Sequence, residues 1–147
     1  MRAILTILAL ASIMIVAGCI SSETGKDKMG SDLSIAIGQA DGDQAGLQKI
    51  SWKANIMNSR NKTAENVSVN VILHPEVVSR LVSVEGNTML LGDLAPGTSV
   101  GFNGTATFNS TGLSKQDIAA WEPLVKIKVA WTEEGKVMEK ILPEARK

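Results

Sequence analysis

The sequence predicts an all-β fold: a single antiparallel β-sandwich of about seven to eight strands with one short helix, preceded by an N-terminal signal helix and a tether. Three observations predict it. Apolar and polar residues alternate along several runs, the period of a half-buried strand. Turn residues punctuate those runs at short intervals, as they do in sandwiches. The chain has 147 residues and one cysteine, so its ~110 foldable residues must stand on a hydrophobic core without disulfides or a thiolate zinc cluster.

Taken in order, Leu33 to Gly38 is a first, weak strand. Ile50, Trp52, Ala54 and Ile56 alternate with Ser51, Lys53, Asn55 and Met57, and Val67, Val69, Val71 and Leu73 alternate with Asn66, Ser68, Asn70 and Ile72. The polar segment Asn58 to Lys62 between them predicts an antiparallel, hairpin-like pair. Val77 to Val84 and Met89 to Leu94 are weaker strands, and Ala95-Pro96-Gly97 turns the chain into a row of Val100, Phe102, Ala106 and Phe108. Ser114, with Asp117 three residues on, predicts a capped helix of about two turns that Pro123 ends. Trp121 packs its edge. Val125, Ile127, Val129 and Trp131 form the next row, Glu133-Glu134-Gly135 a tight charged turn, and Lys136 to Leu142 an edge strand guarded by Lys136, Glu139 and Lys140. Trp52 and Trp131 are expected in the core.

The first residues are a targeting segment. Met1-Arg2 is a short positive start, and Ala3 to Gly18 is an uninterrupted run of apolar and small residues, shorter than the ~20 of a membrane span. The expected organisation is a signal peptide over 1–18, a lipid-anchored tether over 19–31, a sandwich over 32–143 and a tail over 144–147. The tether is expected because Ile20 to Ser31 is rich in Ser, Gly and charge with no periodicity. An uncleaved N-terminal anchor is the alternative.

Val16-Ala17-Gly18-Cys19 resembles the lipobox of prokaryotic lipoproteins, although Val16 stands where that family most often has Leu. The resemblance implies cleavage before Cys19, a thioether-linked lipid on its sulfur, and an extracytoplasmic location on the cell membrane. Two lipid chains anchor stably where one binds only marginally.

Leu91-Gly92-Asp93-Leu94-Ala95-Pro96-Gly97-Thr98, followed by an alternating strand, looks like the turn of small immunoglobulin-like extracytoplasmic modules of the FxLYD and CARDB (cell-adhesion-related) kind. The likeness spans about Ile50 to Phe108, and the Tyr-Asp element of that family is lacking. It implies an Ig-like sandwich and a role in surface display or accessory binding.

Little in the sequence carries chemistry. Fifteen Lys and Arg balance fifteen Asp and Glu, and aromatic content is 3%, so neither the basic surface nor the stacking platforms of nucleic-acid binders are present. Removal of residues 1–18 takes away Arg2 and leaves a net charge of −1. His74 is the sole imidazole and lacks the partners that serine or metal catalysis needs, so it is read as a turn residue. Asp41 and Asp43 are spaced like the start of a calcium loop, but Ala45 and Trp52 occupy the places where further ligands belong. A solvated turn is the competing reading.

Four Asn-x-Ser/Thr sequons begin at Asn61, Asn66, Asn103 and Asn109, where chance placement gives about one. They are candidate glycosylation sites, and they lean the reading toward an archaeal source. No cofactor is expected. The expectation is therefore a non-catalytic, lipid-anchored module that touches the membrane through Cys19 and binds or scaffolds a protein or glycan partner, not nucleic acid. A calcium-dependent carrier or enzyme accessory subunit, and a purely structural glycosylated envelope component, are the alternatives.

Overall fold

The structure is a computed structural model that describes residues 28–42 and 44–143. Cys19, Asp43 and the tail 144–147 lie outside the described residues. Alternating rows become two four-stranded antiparallel sheets packed face to face. Sheet A has the order β1 (Met29–Gln39), β2 (Leu47–Asn58), β6 (Ser99–Asn109), β4 (Leu81–Glu85), and sheet B the order β5 (Thr88–Leu94), β3 (Ala64–Leu73), β7 (Val125–Glu133), β8 (Lys136–Leu142). Without β5 these are the neighbour relations of a constant-type immunoglobulin domain, and β5 adds one strand beside β3. The fold is an Ig-like β-sandwich of eight strands.

The core forms where the inner rows meet. Ile50, Trp52, Ala54, Ile56, Phe102, Ala106 and Phe108 from sheet A face Val67, Val69, Val71, Val125, Ile127, Val129 and Trp131 from sheet B, all buried. Trp52 and Trp131 are in the core, as their rows predict. The β7–β8 connection is a two-residue turn in which Glu134 (φ 49°) and Gly135 (φ 76°) are both left-handed, the conformation whose twist matches the flanking strands.

Four expectations are corrected. β2 and β3 are not a hairpin pair: they lie in different sheets, because the segment between them carries the chain across the core so that both apolar rows face inward. Val77 to Val84 is not one strand. Pro75 to Ser79 forms helix α1, with His74 as its N-cap and Pro75 at its first position, and β4 begins only at Leu81. There are thus two short helices among the described residues; α2 (Lys115–Ala119) has the expected capping box of Ser114 and Asp117 but is shorter than two turns. β1 begins at Met29, inside the segment expected as tether, because Met29 is buried and opposes Asn58 on β2.

Candidate functional site

The two ends of the sandwich differ in character. At one end β1 begins, β2 runs out and β7 turns into β8. Asn58 is the buried polar residue here: its Nδ2 donates to the carbonyls of Leu94 (2.8 Å) and Lys62 (2.9 Å), and its Oδ1 accepts from the Arg60 amide. Its backbone adds bonds to Thr98 and Gly97. The side chain therefore ties the crossing between the sheets to the end of β5, and the backbone of the same residue ties it to the turn before β6.

Beside it, the Arg60 guanidinium binds Glu133 and lies 5.7 Å from the ring centroid of Trp131, while Lys62 pairs with Glu134 at 2.7 Å. The Arg60 hydrogen bond holds the Glu133 carboxyl below its usual range, and the Glu134 hydrogen bond raises the Lys62 ammonium. Glu133 is thus not a bare hairpin tip, because its carboxylate is largely covered and bound by Arg60 from the crossing between β2 and β3. These contacts are a mechanical clamp between the β2–β3 crossing and the end of β7.

The opposite end carries a half-open cleft of about 630 Å³. It sits between the last residues of β1, the start of β2, α2 and the approach to β7. Ile37, Ile118 and Leu124 supply an apolar floor, and Gln39, Gln48, Lys115 and Glu122 supply polar groups around it. Apolar walls with a few polar groups are the usual make-up of a small recognition site. The α2 cap is well fastened, since hydrogen bonds from Ser114 lower the Asp117 carboxyl below its ordinary value.

His74 lies near this end. Its Nδ1 accepts from the Glu76 amide at 3.3 Å, capping α1, and its ring stacks on Trp121 with centroids 6.0 Å apart and planes 2° apart. Trp121 in turn packs against Phe108 at 56°. The imidazole thus serves as helix cap through Nδ1 and as packing surface through its ring.

Asp41 is exposed, and its carboxylate meets Lys49 Nζ at 2.6 Å. Among the described residues no three His, Cys, Asp or Glu side chains come together as a metal centre would need. All four sequon asparagines are exposed. Asn61 lies between β2 and β3, and Asn109 ends β6 with its Oδ1 accepting from the Thr111 amide. Asn66 sits in a bulge of β3 with φ 51°, so strict alternation does not place it, although it still faces outward. Asn103 lies in mid-strand on β6 opposite Lys53, within a shallow hollow on the outer face of sheet A.

The sequence signals missed the clamp and the cleft. Arg60 and Glu133 are too far apart in the chain for any spacing rule, and the cleft is assembled from four separate segments. The Pro75 that opens α1 was a usable helix-start signal. No helix among the described residues is long and apolar enough to cross a membrane. No protein-family model matches the chain, and no curated protein matches it.

Proposed function

We propose that the chain is a non-catalytic, extracytoplasmic binding or scaffolding module of the cell surface, tethered to the membrane through lipid on Cys19. The observation that carries the reading is the joint between leader and fold. Nine residues separate Cys19 from Met29, where β1 starts, a span of at most about 36 Å over the ten steps from one to the other. The chain thus passes from a lipobox-like ending almost directly into a sandwich strand.

The cleft supplies the binding half of the reading. It lies at the Gln39 end of β1, ten residues along the strand from Met29, or roughly 33 Å at the usual rise. A partner engaged there is kept clear of the attachment point. The mixed lining of Ile37, Ile118, Lys115 and Glu122 suits a peptide or glycan surface with both apolar and polar groups.

Two measurements test the reading. The intact mass of the full chain from a lipidating host should correspond to a product that begins at Cys19 and carries lipid, and Cys19→Ser should leave the membrane fraction. A product that begins at Met1, or a Cys19→Ser variant held as firmly as the parent, removes the anchor. A partner retained from native envelopes by the parent and lost with Lys115→Glu combined with Glu122→Lys supports the cleft; equal retention by both chains removes it.

A further inference from the structure

The four sheet edges are not equally protected. β4 has five residues and a register break between Leu81 and Ser83. β5 has seven and pairs irregularly with β3. β8 carries Lys136, Glu139 and Lys140, with Glu139 paired to Lys128. Short, kinked or charged edges are the ordinary guards against strand addition. β1 has none of them: it runs eleven residues in unbroken register with β2, and Asp32 is its one charge.

The inner row of β1 is also unfinished. Leu33, Ile35 and Ile37 stand opposite the buried Ala54, Trp52 and Ile50, so they face the core side of sheet A. Yet Ile35 is 38% and Ile37 41% exposed, because among the described residues no strand pairs with β1 on its other side.

Around Ile35 the strand reads almost alike in both directions. Leu33 mirrors Ile37, Ser34 mirrors Ala36, Asp32 mirrors Gly38 and Ser31 mirrors Gln39. An antiparallel mate centred on Ile35 therefore sets apolar residues against apolar ones in three rungs, small residues against small, and the lone Asp32 against glycine. A register slipped by two residues sets Ile37 against Ser31, or Leu33 against Gln39. A register centred on Asp32 opposes like charges, which is unfavourable. All four sequons lie off β1 and β2, so no candidate glycan site falls on this edge.

We propose that β1 is a self-association edge: it pairs antiparallel with β1 of a second copy, Ile35 against Ile35, and joins two A sheets into one of eight strands. The interface is isologous, the same patch meeting itself about a two-fold axis. It stands on β1 alone and does not depend on the fate of Cys19.

The test is directed crosslinking of the full chain in detergent, in a Cys19→Ser background where the introduced thiol is the only one. Under mild oxidation Ile35→Cys should give a species of twice the monomer mass at least tenfold more abundantly than Asp32→Cys, and Asp32→Cys combined with Gly38→Cys should restore it. A monomeric Ile35→Cys, crosslinking no stronger than that of Lys136→Cys on β8, or a product of any other mass overturns the proposal. Without the added thiols, Ser34→Lys combined with Ala36→Lys sets like charges across the axis at two exposed positions. It should weaken self-association at least tenfold with an unchanged far-UV spectrum; undiminished pairing in that variant also overturns the proposal.

Discussion

Arg60, in the crossing that leaves sheet A, binds the carboxylate of Glu133 at the end of β7 in sheet B, 73 residues further along the chain. The contact spans the two sheets, and Lys62 reinforces it from the same crossing by approaching Glu133 at 3.8 Å.

That pair makes stability depend on acid. The Arg60 hydrogen bond lowers the Glu133 carboxyl from its ordinary 4.5, so the folded chain favours the ionised form. The stabilisation is present above about pH 4.5 and is lost as pH falls through the lowered folded value. Melting of the parent between about pH 7 and pH 3 should show a steeper decline than melting of Glu133→Gln, which starts less stable and converges with the parent in acid. Parallel curves would remove the clamp from the account of stability.

Asn58→Ala removes both donors that Asn58 offers to Leu94 and Lys62 and the acceptor of the Arg60 amide. Leaving a buried carbonyl unsatisfied costs about 1–3 kcal/mol, so the midpoint of thermal unfolding should fall by roughly 5–12 °C. Asn58→Asp should not rescue it, because a carboxylate cannot donate to the same two carbonyls.

Gly104 lies under the Trp52 ring and against the backbone of Glu85, and an added Cβ would collide with both. Gly104→Ala should therefore destabilise by about 1–3 kcal/mol through overpacking, measured by urea unfolding. The Asn103-x-Thr105 sequon is retained in that variant, so any loss of modification at Asn103 reports on folding and not on the acceptor sequence.

Calcium should not stabilise the fold. Asp41 is engaged with Lys49, and a third acidic ligand does not approach it among the described residues. Thermal melts of the full chain in EDTA and in excess calcium should coincide; occupancy at one hundred times the dissociation constant would add about 2.7 kcal/mol, a displacement on the order of ten degrees.

Much of the sandwich is legible in the sequence because β2, β6 and β7 each bury one face and so alternate cleanly. Sheet membership is not legible: Ser59 to Thr63 looks the same whether it closes a hairpin or crosses the core. Val77 and Val78 read as strand because two valines in a row outweigh a short helix whose stability comes from its His74 cap and the burial of Val77. Met29 reads as tether because Met-Gly-Ser has no period of its own and is ordered by Asn58 across the sheet. Of the candidate site residues, the sequons could be found by pattern alone. The cleft could not, because Ile37, Ile118 and Leu124 meet only once both sheets are closed.

Were Asn103 an acceptor, its position would set an order of events. It lies on an inner strand, with Lys53 of β2 on one side and, on the other, the turn at Gly86, where even a Cβ would strike the Asn103 carbonyl. An enzyme that must grip the backbone around its acceptor can do so here only before sheet A closes, or during local opening of the most tightly paired part of the molecule. Asn61 lies outside any strand and Asn109 at the end of one, so both remain approachable afterwards. Occupancy at Asn103 relative to Asn61 would then serve as a clock, recording how long the nascent chain stays open before the sandwich shuts.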